Sequence, residues 1–243
     1  MSAAYRSAAT ASALVAASTG VTVNKPSGVA DGDVLYAFIS KNTAADTNGF
    51  TNAAGFTAIG GNPFTVTEND RHLGILRKVI VTASGEPSTY TFVTTSGTTS
   101  GLVGIIVCVS GADTNTPEDV TFTSSHRVLG ENDATPASVD VITVTANSLV
   151  LQYCILALGV AAQKTWGAPS GYTQDAAAVQ GETTSASNKL QCGVAYKTQV
   201  AAGSAGTNAW LHTADDAATD YIVAVVSVRS APATRPIAIR SRF

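Results

Sequence analysis

Short apolar runs separated by polar, glycine- and proline-rich segments recur along the whole chain. In residues 89–94, Tyr90 and Phe92 alternate with threonines and a valine, the period of a strand with one buried face. Residues 34–39 and 102–109 are continuously apolar instead, which predicts central strands covered on both faces. Since no stretch shows an apolar stripe at helical spacing, the pattern predicts an all-β fold.

The same order of elements restarts halfway along the chain. Four segments of the second half resemble four of the first, at offsets of 115 to 119 residues: 147–154 resembles 32–39, 171–173 resembles 55–57, 192–197 resembles 73–78, and 221–228 resembles 102–109. A repeat of about four strands predicts a jelly-roll-like β-sandwich built from two interlocked halves. Two separate small sandwiches are the alternative.

We predict three regions. Residues 1–19 are rich in Ala, Ser and Thr and form an N-terminal arm or an edge strand. Residues 20–230 form the single sandwich, with further strands at 71–81 and, in short form, at 56–59 and 120–123. Residues 231–243 form a basic, extended tail, because Pro232 and Pro236 prevent continuation of a central strand.

Charge is sparse and unevenly distributed. Only 13% of the 243 residues are charged, against about 25% in a typical domain. With so few charges, the outward faces of the strands are expected to be neutral, and neutral faces suit burial against another protein chain. Four of the 14 basic residues and none of the 17 acidic residues lie in 229–243, so this segment is +4 and residues 1–228 are −7. The net charge of −3 gives no general nucleic-acid footprint, and no apolar run reaches the length of a membrane span.

The residues provide no catalytic constellation. The three cysteines are widely spaced inside apolar runs and are expected to be buried thiols in a reducing compartment. The three histidines lack metal-ligand spacing, and no nucleophile elbow or phosphate-binding loop is present. Asp215, Asp216 and Asp220 form a solvated turn or a weak cation site. We therefore expect no enzymatic activity, metal or cofactor; a hydrolase would require clustered acids in a cleft.

Two sets of residues are candidates for binding. The tail alternates basic and apolar side chains and is predicted to dock on an acidic neighbouring surface or to fold back on its own sheet; its candidate contacts are Arg235, Ile237, Ile239, Arg240, Arg242 and Phe243. Three aromatic residues either fill the ends of the core or stack on sugar rings: Trp166, Tyr172 and Trp210.

Three motifs carry a resemblance to a known family. They are Ala-Tyr5-Arg6-Ser together with Val-Thr-Val-Asn-Lys-Pro-Ser-Gly-Val-Ala-Asp-Gly-Asp-Val-Leu at 21–35, Ala-Ser-Gly-Glu-Pro-Ser-Thr-Tyr-Thr-Phe at 83–92, and Pro-Ser-Gly-Tyr-Thr at 169–173. Over about residues 1–230 the chain resembles a family of tailed-bacteriophage structural proteins, described as capsid decoration (cement) or minor tail proteins. Related chains often carry Trp where this chain has Tyr172.

The resemblance implies a trimeric, jelly-roll-like protein on the outer capsid surface of a virion, synthesised in the bacterial host cytoplasm. Its partners would be the major capsid protein and itself, with neither nucleic acid nor membrane. Tyr5, Arg6 and the tail residues named above would contact the shell or neighbouring copies. The alternative is a receptor- or glycan-binding module associated with a phage tail or fibre, in which Trp166, Tyr172 and Trp210 are the stacking platforms.

Overall fold

The computed structural model describes residues 2–13, 20–42, 50–51, 53–60, 66–68, 71–94, 101–127, 137–159, 166–181, 189–212 and 220–232. Within these ranges the regular structure is β-strand, apart from one 3₁₀ turn at Ala83–Gly85. All strand pairs are antiparallel. The predicted all-β fold class is confirmed.

The first half of the chain forms two sheets. Its strands are β1 (Ala4–Ala13), β2 (Gly20–Asn24), β3 (Val34–Asn42), β4 (Phe50–Thr51), β5 (Thr57–Ala58), β6 (Val66–Glu68), β7 (Arg71–Val79), β8 (Thr89–Thr94) and β9 (Gly101–Ser110). The large sheet has the order β1-β9-β3-β7-β5, with β6 also paired to β7, and the small sheet has the order β2-β8-β4.

The second half repeats this arrangement. Its strands are β10 (Thr123–Arg127), β11 (Ile142–Thr143), β12 (Ser148–Gly159), β13 (Trp166–Gly167), β14 (Thr173–Gly181), β15 (Lys189–Gln199), β16 (Gly203–Ser204), β17 (Leu211–His212) and β18 (Asp220–Val228). The large sheet has the order β10-β18-β12-β15-β14, and two short pairs, β11-β16 and β13-β17, take the place of the small sheet. Since the strand order of the two large sheets is equivalent, the internal repeat predicted from the sequence is confirmed.

Four layers of sheet result, and β3 shows why its sequence is apolar throughout. Val34, Tyr36 and Phe38 point into a central core shared with the second large sheet. The intervening residues of β3 point the other way, into a separate core under the small sheet. The second half has its own outer cores beneath β11-β16 and β13-β17. Each large sheet is therefore covered on both faces, as the continuous apolar runs indicated.

An approximate two-fold axis relates the halves. Phe38 and Tyr153 occupy equivalent positions in the repeat, and their rings stack on each other with centroids 5.0 Å apart and an interplanar angle of 6°. The residues that follow β9 and β18 also pair with each other, because the Ala231 N–H donates to the Gly111 carbonyl at 2.9 Å. At the sheet margins β1 contacts β14, and β10 contacts β6. Contacts between equivalent residues are typical of an isologous interface.

Several expectations are refined by this arrangement. Each large sheet takes all its strands from one half of the chain, so the halves are not interlocked and the jelly-roll connectivity is not confirmed. Of the two interpretations of the N-terminal residues, Ala4–Ala13 matches the edge strand, because it pairs with β9. The short strand expected at 120–123 was placed too early, since β10 begins at Thr123. Residues 233–243 lie outside the described residues.

Candidate functional site

Tyr5, one of the predicted partner contacts, joins the two halves of the protein. Its ring stacks on Tyr196 of β15, with centroids 4.0 Å apart and an interplanar angle of 4°. Its hydroxyl donates a 2.6 Å hydrogen bond to Asp175 of β14. Burial and the adjacent Asp175 carboxylate raise the pKa of Tyr5 above its ordinary value. The side chain therefore anchors β1 to the second half of the chain.

Arg6 holds the same strand to the first half. Its guanidinium contacts both carboxylate oxygens of Asp33, at 3.0 and 3.1 Å. Asp33 is buried and also accepts hydrogen bonds from the Ala30 N–H at 2.8 Å and the Cys108 thiol at 3.2 Å. Burial, together with the Asp33 charge, raises the pKa of the Cys108 thiol. Contact of Tyr5 or Arg6 with a partner stays a prediction, and their described roles are internal.

Asp33 is a structural residue that sequence reasoning missed. The segment Asp31-Gly32-Asp33 indicates a turn, and nothing in it signals that one carboxylate is buried. The partner, Arg6, lies 27 residues earlier, so no local spacing links them. Glu118 is similar, because it accepts a 3.2 Å hydrogen bond from Tyr36, 82 residues earlier, and pairs with Arg77.

The two ends of the described chain meet at one place, which we call the terminal junction. The Ala3 N–H donates to the Ser230 hydroxyl at 2.8 Å, and Arg229 lies 3.5 Å from the buried Asp119 carboxylate. A cavity of about 560 Å³ opens here, lined by Ser2, Asp113, Thr145, Ala146, Asn147, Arg229, Ser230, Ala231 and Pro232. The tail candidates Arg235, Ile237, Ile239, Arg240, Arg242 and Phe243 lie outside the described residues.

The three aromatic candidates do not form a shared surface in the described part of the chain. Trp210 is completely buried in an outer core of the second half, against Gly193, so its ring is not available to a sugar. Tyr172 is partly buried, with the Lys197 ammonium 4.7 Å from its ring centroid, and burial raises the pKa of its hydroxyl. Trp166 contributes backbone pairing to His212, and its side chain lies outside the described residues.

The described residues were compared with the requirements of metal binding, of thiol chemistry and of membrane-spanning helices. No group of three or more His, Cys, Asp or Glu side chains there is placed to hold a metal ion. Cys108, Cys154 and Cys192 are buried free thiols. Among the same residues, none of the helical structure is long and apolar enough to cross a membrane.

The outer surfaces of the two end layers expose mainly uncharged side chains in the described strands. The polar end face belongs to β2 and β8 and presents Thr22, Asn24, Thr89, Thr91 and Val93. The apolar end face surrounds β11 and presents Ile142, Val144 and Val200, with one charged group beside them, the Asp140 carboxylate, which accepts a hydrogen bond from the exposed Ser204 hydroxyl opposite Ile142. Faces depleted in charge are characteristic of the centres of protein interfaces, and they make these two surfaces the candidate binding sites.

Comparison of the chain with models of protein families, with curated proteins and with solved structures found no match.

Proposed function

We propose that this chain is a capsid decoration (cement) protein of a tailed bacteriophage. It binds the outside of the assembled icosahedral shell as a homotrimer and bridges major capsid subunits. The observation that supports the proposal most is the pair of sparsely charged end faces on a body whose two large sheets are buried on both sides. The family resemblance of the motifs at 21–35, 83–92 and 169–173 points to the same class.

The four-layer body suits a mechanical role. Each large sheet is fixed by a central core and by an outer core, so bending it would disturb packing on both of its faces. Strand β1, which would otherwise be a loosely held edge, is fastened at its N-terminal end by Arg6 to one half and by Tyr5 to the other. A rigid body transmits force between the subunits that it bridges, whereas a flexible one would yield.

The mechanism follows from mass action. A protein that binds the expanded shell, and not its separate subunits, stabilises the expanded state by RT ln(1 + [L]/Kd) at each site. At a free concentration of about 100 times Kd, this contribution is about 2.7 kcal/mol per site. A trimer engages three subunits at once, so the second and third contacts form at high effective concentration. No reactive group is required.

Electron microscopy of intact particles with gold-labelled protein tests the proposal. We expect copies spread over the head at regular positions. Copies confined to the tail or tail tip would overturn the assignment and support the receptor- or glycan-binding alternative.

A biochemical test uses empty expanded shells that lack the protein. Adding the purified chain should raise the temperature at which the shells dissociate, in proportion to occupancy. Unexpanded shells are the control and should neither bind the chain nor be stabilised by it. Equal stabilisation of both shell forms would contradict the mechanism, because binding both states equally shifts no equilibrium.

A further inference from the structure

The two end faces occupy equivalent places in the repeat and differ in chemistry. Strands β2 and β11 each precede the central strand of a large sheet, β3 or β12, and each begins the small sheet of its half. The outward residues of β2 are Thr22 and Asn24, and Thr22 exchanges a 2.8 Å hydrogen bond with Thr91. Around β11 the outward residues are Ile142 and Val144. The first half therefore shows that this fold needs no apolar side chains at such positions.

The apolar side chains of this end face are well exposed. Ile142 is 63% exposed and Val144 is 60% exposed. Val200 is 72% exposed, and its carbonyl accepts a hydrogen bond from the Asn147 N–H in the turn that follows Val144. Covering such side chains is favourable because it removes apolar surface from water. An occupant of this face thus gains substantial free energy, which the polar end face cannot offer.

The chain leaves the described structure where the two halves meet, beside the turn that connects β11 to β12. Ser230 donates a 2.5 Å hydrogen bond from its hydroxyl to the Asn147 carbonyl. Pro232 lines the same cavity as Thr145 and Asn147, the residues that follow Val144. Eleven residues, 233–243, remain beyond that point. Fully extended they span at most about 36–40 Å, which is more than enough to cross a face of three side chains.

The sequence of these eleven residues has two sides when extended. Arg235, Ile237, Ile239 and Phe243 share one parity, and Arg240 and Arg242 have the other. In an extended backbone successive side chains point to opposite sides, so the isoleucines would face one surface and these two arginines the opposite one.

We propose that residues 233–243 of the same copy cover the apolar end face, with Ile237 and Ile239 on Ile142 and Val144. Arg240 and Arg242 then point outward, where they are available to an acidic partner. The segment of the same copy is the occupant, because its attachment point lies beside the turn that connects β11 to β12 and supplies a high effective concentration. The inference concerns the chain alone, and it bears on the proposed function in one way: with the apolar end face covered, the polar end face and the two outward arginines are the surfaces left for a partner.

Disulfide trapping in the full chain tests the proposal. The variant carries Val144→Cys and Ile239→Cys; the three native thiols are buried and do not compete. The matched control carries Thr22→Cys and Ile239→Cys, which places the first thiol on the polar end face. Under mild oxidation and at low protein concentration, we expect the Val144 variant to form an intramolecular disulfide at least about tenfold faster than the control. Peptide mapping identifies the bond.

Each other outcome overturns the assignment. Equal rates in the two variants mean that the segment has no preference for the apolar end face. A disulfide between copies, formed at a rate that depends on concentration, means that a second copy supplies the segment. Absence of any disulfide in both variants means that the segment does not approach either face.

Hydrogen exchange provides a second readout. Ile142→Thr combined with Val144→Asn transfers the residue types of the polar end face, and should abolish exchange protection in 233–243 while leaving the thermal unfolding transition in place. The matched control, Arg240→Ser with Arg242→Ser, should keep the protection. Equal protection in the two variants would overturn the proposal. Neither experiment uses a shell, so failure here is distinct from failure of the decoration function.

Discussion

The hydrogen bond between Ser40 and Tyr153 provides a direct test of the shared central core. Their hydroxyl oxygens are 2.7 Å apart, both residues are fully buried, and they belong to opposite halves of the chain. Tyr153→Phe or Ser40→Ala removes one hydroxyl and leaves the other buried without this partner, which costs about 1–3 kcal/mol. For a protein of this size, 1 kcal/mol shifts the melting temperature by about 2–4 °C. Each single substitution should therefore lower it by roughly 2–12 °C.

The double variant separates the hydrogen bond from other effects. With Ser40→Ala and Tyr153→Phe together, no orphaned hydroxyl remains, so the loss should be close to that of one single variant and well below the sum. The resulting coupling free energy should be about 1–2 kcal/mol. A coupling near zero would show that the contact contributes nothing across the interface.

Tryptophan fluorescence makes the assay specific to one half. Both tryptophans, Trp166 and Trp210, belong to the second half, whereas Ser40 belongs to the first. If the halves unfold as one body, Ser40→Ala lowers the urea midpoint reported by fluorescence as much as the midpoint reported by circular dichroism. Ser84→Ala, an exposed change in the first half, is the control and should alter neither. A fluorescence transition that ignores Ser40→Ala would refute the shared core.

Three further predictions concern the same body. Burial would raise the pKa of Asp119, but hydrogen bonds from Thr145 and Val144 and the Arg229 charge together outweigh it and lower that pKa. The stabilisation from the ionised Asp119 is therefore present above about pH 4 and is lost as pH falls through the lowered pKa. Asp119→Asn should flatten the decline of the urea midpoint between pH 7 and pH 2, and an unchanged slope would contradict this. Gly111→Ala should lower the free energy of unfolding by about 1–3 kcal/mol or more, because φ is +66° and an added Cβ would lie 2.3 Å from the Ser2 carbonyl oxygen. Thermal unfolding measures the loss, and Gly85→Ala is the control, because its added Cβ meets nothing within 4 Å and should leave stability nearly unchanged. The thiols of Cys108, Cys154 and Cys192 are all buried, so they should react with a disulfide reagent only as fast as the protein opens. Rapid reaction in the native state would show that the core around them is accessible to the reagent.

The local pattern of apolar and polar residues was enough to predict the main strands of this protein and their buried faces. The alternation in β8 correctly placed Tyr90 and Phe92 in the core beneath the small sheet and left the threonines of this strand exposed. It did so because side chains of a strand alternate between its two faces whatever the strand packs against. Continuous apolar runs correctly indicated that β3 and β9 are covered on both faces. The offsets of 115 to 119 residues revealed the repeat, since equivalent strands carry similar side chains.

Only the tertiary structure decided how these strands are layered and which side chains meet. A run buried on both faces is compatible with interlocked halves or with stacked ones, and the two are distinguished by the large sheets, each of which takes its strands from one half of the chain. Tyr5 meets Asp175 across 170 residues of sequence, and Arg6 neutralises a carboxylate in what reads as an ordinary turn. Such pairings depend on the relative placement of whole sheets, which is set by the packing of many apolar side chains and is not encoded in the spacing of the residues that pair.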